Sequence, residues 1–204
     1  MLQHPAAIRD AFEQGAVTFL DVLRAVPADQ WDKPEALGEL TTRELAAHTL
    51  RAFITIEGYL LAEPQTDRVL ADAGEYYVAA LSDPSVHEGI TTRARQGGRQ
   101  LIDPVGEAEV TVARVLALVA ATANDEPVNS FVGQMTLSEY LATRVVELGV
   151  HTLDLARATG QPAELHRDTA AVVLAVLTQL ASPSQLILAL TGRQQLPDDY
   201  NLMR

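Results

Sequence analysis

The chain has 204 residues, of which 48% are hydrophobic but only 5% aromatic, and its formal net charge is −12 at pH 7. Aliphatic side chains and alanine must therefore fill the core, which favours close-packed helices over a β-sandwich. The acidic charge repels phosphate groups and anionic lipids, and this argues against nucleic acid or a membrane as a partner. The chain contains no cysteine, which excludes disulfides, protein thiolate ligands and a thiol nucleophile of its own.

Composition and the N-terminus also bear on the cellular setting. Lys33 is the single lysine beside fourteen arginines, a balance typical of a GC-rich bacterial genome. The N-terminal residues 1–5 lack a basic region followed by an apolar one, so no signal peptide is expected. The longest apolar runs, 115–121 and 170–177, are too short to span a bilayer. We therefore expect a cytoplasmic protein.

Two helices are predicted in the first third of the chain. The first is indicated by apolar residues at helical spacing, and Pro27 follows its end. The apolar positions are Ile8, Phe12, Gly15, Phe19 and Leu23. The second begins with Thr41-Thr-Arg-Glu44, which has the pattern of a capping box, and runs to about Leu61. It places His48 on an inward face.

The middle of the chain predicts three further helices. Residues 75–81 and 86–101 form two of them, separated at Asp83-Pro84. The third spans about residues 104–123 and is expected to bury one stripe of its surface. This stripe consists of Val110, Ala113, Leu116, Ala117 and Ala120. A short extended segment is predicted at 128–132.

A second capping-box pattern, Thr136-Leu-Ser-Glu139, begins the helix that carries Glu147 and His151. The sequence Gly160-Gln-Pro162 ends it. A helix at about 168–181 and a shorter one reaching residue 190 follow. The fold class is therefore all-α: four main antiparallel helices form a four-helix bundle, with short additional C-terminal helices. We assign the bundle to residues 1–160 and a helical extension, packed on the same domain, to 161–204.

The residues His48, Glu147 and His151 carry the chemistry. Glu147 and His151 lie at positions i and i+4, so they share one face of their helix. If the fold brings His48 to that face, two imidazoles and a carboxylate can bind a divalent first-row metal, zinc foremost or nickel, with one coordination position open. The alternatives are a salt bridge between Glu147 and Arg144, and for His151 a core histidine or a partner of the helix dipole.

Two neighbours are candidates to assist catalysis, Arg144 and Asp154. Asp154 lies on the face of Glu147 and His151 and can accept a hydrogen bond from an imidazole or from Arg144; a surface charge is the alternative. Arg144 and Arg157 can bind a carboxylate or a sugar-linked ligand, or form solvated salt bridges. Three other histidines, His4, His87 and His166, receive no role. Motifs of dinucleotide-binding, P-loop, serine hydrolase and zincin sites are absent.

Two segments resemble the mycothiol-dependent maleylpyruvate isomerase family of the DinB-like superfamily. They are Leu40-Thr-Thr-Arg-Glu-Leu-Ala-Ala-His48 and the segment from Gly133 to Leu155, which contains Glu147-Leu-Gly-Val-His151. In addition, Leu190-Thr-Gly-Arg193 with Leu196-Pro197 is similar to the tail of smaller members of this family, so that the resemblance covers most of residues 5–200. The resemblance implies a DinB-like four-helix bundle with a zinc-type site on His48, Glu147 and His151. It also implies a low-molecular-weight thiol cosubstrate such as mycothiol, and with it an actinobacterial source.

The sequence departs from the family pattern in two places. Leu40 stands where the family has tryptophan. Only forty-four residues follow Gly160, whereas the isomerase carries a larger C-terminal α/β domain, so maleylpyruvate isomerisation itself is not expected.

Two functions remain open from the sequence. One is a metal-dependent transferase or isomerase, monomeric or homodimeric, that joins a mycothiol-type thiol to a small electrophilic substrate. The other is a non-catalytic metal-binding or ligand-sensing bundle. An open pocket above the metal would favour the enzyme, and a buried fourth position would favour the second function.

Overall fold

The computed structural model describes residues 4–82 and 84–203, except the side chains of residues 84–88. Helices dominate the described residues, and the only regular strands among them form one hairpin. The α-helices are α1 (Pro5–Arg24), α2 (Thr42–Leu61), α3 (Ala73–Leu81), α4 (Pro84–Gln100), α5 (Pro104–Ala121), α6 (Leu137–Ala158), α7 (Arg167–Leu180) and α8 (Pro183–Leu190). A 3-10 turn lies at Ala28–Gln30, and the strands are β1 (Pro127–Ser130) and β2 (Gly133–Thr136). The prediction of an all-α protein is confirmed.

Helices α1, α2, α5 and α6 form the four-helix bundle, since α1 and α2 each pack against both α5 and α6. Helices α1 and α5 are antiparallel, because Arg9 near the start of α1 donates to the carbonyl of Thr122, just past the end of α5, at 2.7 Å. Helices α2 and α6 are also antiparallel, since Tyr59 near the end of α2 contacts Tyr140 near the start of α6, with ring centroids 5.7 Å apart.

The other two neighbouring pairs are parallel, so the expectation that the four main helices are antiparallel is wrong for them. Arg43 in the first turn of α2 donates to the carbonyl of Leu101, just before α5. Gln161, just after α6, donates to the carbonyl of Val22 near the end of α1. The reason lies in the long connection through α3 and α4, which returns the chain to the end of the bundle where α2 began.

Helix α5 buries a different stripe from the predicted one. Val112, Val115 and Val119 are buried, whereas Val110 is 66% exposed. The predicted Ala113 and Ala120 are exposed as well. Helix α5 carries apolar residues on several faces, so helical spacing alone supports more than one stripe, and the contacts with α1 and α2 select among them.

The two capping boxes differ in the structure. At α2 both halves form: the Thr41 hydroxyl accepts from the Glu44 amide, and the Glu44 carboxylate accepts from the Thr41 amide. At α6 Thr136 accepts from the Glu139 amide at 3.4 Å, but the Glu139 carboxylate accepts from the amide of Ala73 at the start of α3. Helix α3 packs on α6 and provides an amide that competes for the carboxylate.

The remaining elements surround the bundle. The predicted extended segment is the hairpin β1–β2, with Val128 opposite Met135. Helix α7 packs on α1, α3 and α6, while α8 has no buried residue. No helix among the described residues is both long and apolar enough to cross a bilayer. The core fills the space between the main helices and includes Phe12, Phe19 and Phe53.

Candidate metal centre

The three residues singled out by the sequence meet at one point between α2 and α6. His48 and His151 approach with their Nε2 atoms 3.1 Å apart, and Nε2 of His151 lies 3.6 Å from Oε2 of Glu147. One ligand atom from each residue lies within 4.8 Å of the others. Ligands about 2.0–2.1 Å from a tetrahedral zinc ion lie about 3.3 Å from one another. The distances of 3.1 and 3.6 Å are close to this value, as expected for donors that share one ion.

Asp154 orients the imidazole of His151. Its Oδ2 lies 3.2 Å from Nδ1 of His151, on the ring side opposite the cluster. A proton held on Nδ1 leaves the Nε2 lone pair for a metal, as carboxylate partners do in metal sites. Asp154 thus lies where the sequence placed it, within reach of an imidazole N–H.

Tyr77 of α3 contacts the carboxylate of Glu147. Its hydroxyl lies 2.9 Å from Oε1 of Glu147 and 3.0 Å from the backbone carbonyl of Thr143, and it can donate to either oxygen. The other oxygen, Oε2, is the one nearer His151. The two carboxylate oxygens are thereby divided between a hydrogen bond and the candidate metal position.

Arg144 does not form the ion pair with Glu147 that the sequence left open; among the described residues no such contact lies within 4.0 Å. Its Nε donates to Oγ1 of Thr143 at 3.0 Å and its Nη2 to the hydroxyl of Tyr76 at 3.2 Å. The guanidinium lies 4.7 Å from the ring centre of Tyr140 and 5.5 Å from that of Tyr76. Only 7% of Arg144 is exposed.

The pKa values of the two histidines are shifted in opposite directions. Burial, together with the nearby charge of His151, lowers the pKa of His48 to about 4. Burial also lowers the pKa of His151, but the hydrogen bonds to Asp154 and Glu147 outweigh it and raise the pKa to about 9. Burial raises the pKa of Glu147, but His151 and the charge of Arg144 outweigh it and lower the pKa to about 2. Near neutral pH the cluster thus contains a neutral His48, a protonated His151 and an ionised Glu147.

A cavity of about 590 Å³ adjoins the three donor residues. The side chains of His151 and Glu147 are 15% and 24% exposed, so both remain accessible. Much of the wall is apolar or aromatic, including Leu40, Phe131 and Met203. The donor cluster therefore adjoins a space large enough for a small molecule.

Comparison with known families adds an independent observation. Residues 5–156 match a family model described as the mycothiol maleylpyruvate isomerase N-terminal domain. The chain belongs to this family. The match contains all three donor residues and Asp154, and it ends within α6, so α7 and α8 lie outside it. No curated protein and no solved structure gave a significant match.

Several residues of this family member's pocket were not found from the sequence. Tyr140 precedes Glu147 by seven residues, two helical turns, and this spacing was the one available signal for it. Tyr76 and Tyr77 come from α3, and Arg51 follows His48 by three residues on α2. The tyrosines of α3 carry no signal in the sequence, because only tertiary packing brings α3 to α6.

The remaining candidates lie elsewhere. Arg157 is exposed near the end of α6 and does not line this cavity. His4 and His166 cap α1 and α7, each accepting from a backbone amide through Nδ1. The side chain of His87 lies outside the described residues.

Proposed function

We propose that His48, Glu147 and His151 hold one divalent metal ion, zinc foremost and nickel as the alternative, in an enzyme that uses a small thiol as cosubstrate. The observation that carries the proposal is the convergence of three spaced donor atoms beside a cavity. Three protein ligands are the number found in catalytic zinc sites, which keep a position for water or substrate. Membership in a family named for a mycothiol-dependent isomerase supports the thiol.

The reaction we propose is attack of the cosubstrate thiolate on an electrophilic carbon, in which the substrate takes up the thiol proton or a leaving group departs with its electron pair. The alternative is an isomerisation in which the same thiol adds to the substrate and is then released. When bound, a divalent ion acts as a Lewis acid that lowers the pKa of a thiol near it. The sulfur must come from the cosubstrate, since the chain has no cysteine. A mycothiol-type thiol fits the family.

The chain's own residues perform three tasks in this proposal. Asp154 holds His151 by its Nδ1 and so directs Nε2 to the donor cluster. Tyr77 fixes one oxygen of Glu147 and leaves the other toward His151. The apolar part of the wall, Leu40, Phe131 and Met203, keeps water away from a bound electrophile. The cavity beside the cluster favours this enzyme over the non-catalytic bundle, for which a closed fourth position would be expected.

Metal content tests the site. We expect about one divalent ion per chain in the wild-type protein, and loss of the ion in His48→Ala and in His151→Ala. His166→Ala is a matched control, because His166 is an exposed residue that caps the start of α7. This variant should keep its metal. Elemental analysis with full metal retention in both ligand variants would refute the site.

Cobalt substitution tests the thiol separately. A thiol sulfur that reaches cobalt gives a near-ultraviolet charge-transfer band, so titration with mycothiol should produce a saturable band and release protons. Bacillithiol and glutathione serve as comparison thiols. If all three leave the spectrum unchanged while the cobalt stays bound, the thiol-dependent reaction is wrong and the non-catalytic bundle is preferred.

A further inference from the structure

Arg144 is a buried cation that forms no ion pair within 4.0 Å among the described residues, although its charge acts on Glu147. Its Nε and Nη2 each donate one hydrogen bond to a neutral hydroxyl, of Thr143 and Tyr76. A guanidinium has five N–H groups, so these two bonds leave three of them without a partner in the described part of the protein. Buried charges are normally paired, and Arg144 lines the cavity beside the donor cluster.

Two further polar groups line the same cavity. The buried hydroxyl of Tyr140 forms no hydrogen bond of good geometry in the described part of the chain, although the Thr55 side chain lies near it and its ring packs against Arg144. Arg51 of α2 also lines the cavity, is half-buried, and forms no ion pair within the described residues. A buried hydroxyl without a well-formed hydrogen bond and two arginines without an ion pair, all at one cavity, are unusual unless a ligand satisfies them.

The charges around the cavity indicate the sign of the charge that such a ligand carries. Three arginines line the cavity, Arg144, Arg51 and Arg93, and with a bound divalent ion they would carry five positive charges, against two negative charges from Glu147 and Asp154. A single thiolate leaves the pocket positive, in a chain whose net charge is −12. A second anion reduces this excess of positive charge, and a planar carboxylate matches the fork of a guanidinium.

We propose that Arg144 and Arg51, with the hydroxyl of Tyr140, form a carboxylate-binding subsite beside the metal ligands. It selects a small substrate that carries a carboxylate next to an apolar body, since much of the remaining wall is apolar. The role of this subsite in a reaction rests on the proposed function, but its binding of a carboxylate can be measured without metal or thiol. The carboxylate belongs either to the electrophile or to the thiol.

Binding of benzoate and of its neutral isostere benzamide, followed by saturation-transfer NMR on chelated protein, tests the subsite. We expect benzoate to bind about tenfold more tightly than benzamide, since charge-assisted hydrogen bonds are the strong ones. Arg51→Gln and Arg144→Gln should each remove most of this preference and leave benzamide unchanged. Arg114→Gln is the matched control, because Arg114 pairs with Glu57 and does not line the cavity. If Arg144→Gln fails to fold, the half-buried Arg51 decides the result.

Three results would overturn the subsite. The first is equal binding of benzoate and benzamide, and the second is an unchanged preference in the Arg51 variant. The third is a preference that appears only with zinc and survives both substitutions, because the ion then binds the carboxylate. Metal loss from His48→Ala and His151→Ala is measured separately. Failure of the metal site and failure of the subsite therefore remain distinguishable.

A second arm identifies which molecule carries the carboxylate. Zinc-loaded protein is saturated with N-acetylcysteinamide, a neutral thiol, and benzoate is then added. Continued benzoate binding supports a carboxylate on the electrophile. Displacement of benzoate by N-acetylcysteine but not by its amide, with the difference lost in Arg51→Gln, supports a carboxylate on the thiol.

Discussion

His48 and His151 differ in protonation although their Nε2 atoms lie 3.1 Å apart. Asp154 and Glu147 surround His151 with negative charge, whereas burial and the proximity of His151 keep His48 neutral. The proton on His151 occupies the place that a metal ion needs. Metal binding and proton release are therefore coupled at this single residue.

We expect zinc binding at pH 7.5 to release about one proton per ion, because the pKa of His151 is raised to about 9 and its neutral form is the ligand. Calorimetry in buffers of different ionisation enthalpy measures this number. Asp154→Asn should lower the pKa of His151 and reduce the release. Asp168→Asn is the matched control, since Asp168 faces the exposed His166 at 3.7 Å. Identical release in wild type and Asp154→Asn would contradict the coupling.

At the scale of the elements, the site depends on two helices whose starts are fixed by side chains. His48 lies in the second turn of α2, close to a complete capping box, while Glu147 and His151 lie farther along α6. Glu139 at the start of α6 instead ties that helix to α3. Because α3 also supplies Tyr77, this contact helps to place the partner of Glu147.

The caps should contribute unequally to stability. Thr41→Ala removes the hydroxyl of a complete box and should lower the free energy of unfolding by about 1 kcal/mol. Thr136→Ala removes a longer bond of 3.4 Å and should cost less. Urea denaturation of both variants measures the difference, and a larger loss for Thr136→Ala would show that the α6 cap is the stronger one.

At the scale of the whole molecule, the fold has a core of its own. Phe53 contacts Phe12 and Phe19 between the main helices, with ring centroids 5.2 and 6.1 Å apart. The largest fully buried side chains come from α1, α2 and α6 and extend well beyond the donor cluster. Burial on this scale supports folding without a metal, unlike in a zinc finger.

The chelated protein is therefore expected to keep its helical circular dichroism and to melt at a lower temperature than the metal-loaded protein. The melting temperature falls because a ligand that binds only the folded state stabilises it by mass action. Thermal melts at several free zinc concentrations measure the dependence. Loss of most helicity on chelation at room temperature would show that the ion is structural.

The metal-free protein should be most stable near pH 6.5. Because the pKa of His48 is lower in the folded protein than in the unfolded chain, its contribution to the free energy of unfolding is complete above pH 6.5. This contribution is lost as the pH falls toward 4. Because the pKa of His151 is higher in the folded protein than in the unfolded chain, its contribution to the free energy of unfolding is complete below pH 6.5. That contribution is lost as the pH rises toward 9. Melting temperatures of chelated protein from pH 4 to 9 give the profile. His151→Gln should lose the alkaline decline and keep the acidic one; an alkaline decline of unchanged size would assign it to another group.

The sequence by itself determined the features that depend on neighbours along the chain. Helical spacing located α1, α2 and α6, the Thr41 cap set the start of α2, and Gly160 marked the end of α6. The spacing of Glu147 and His151 placed both on one face, because a helix has 3.6 residues per turn. These interactions are local, so residue type and spacing suffice to specify them.

Tertiary structure alone decided what lies across from each face. It selected the buried stripe of α5, paired Glu139 with α3, and made α2 and α5 parallel. It also brought Tyr77 to Glu147 and placed Arg144 between two tyrosine rings rather than in an ion pair. Each of these outcomes depends on a segment distant in sequence, and competing local partners were available. Local patterns rank such alternatives poorly, because the burial and hydrogen bonds that decide among them exist only once the helices have packed.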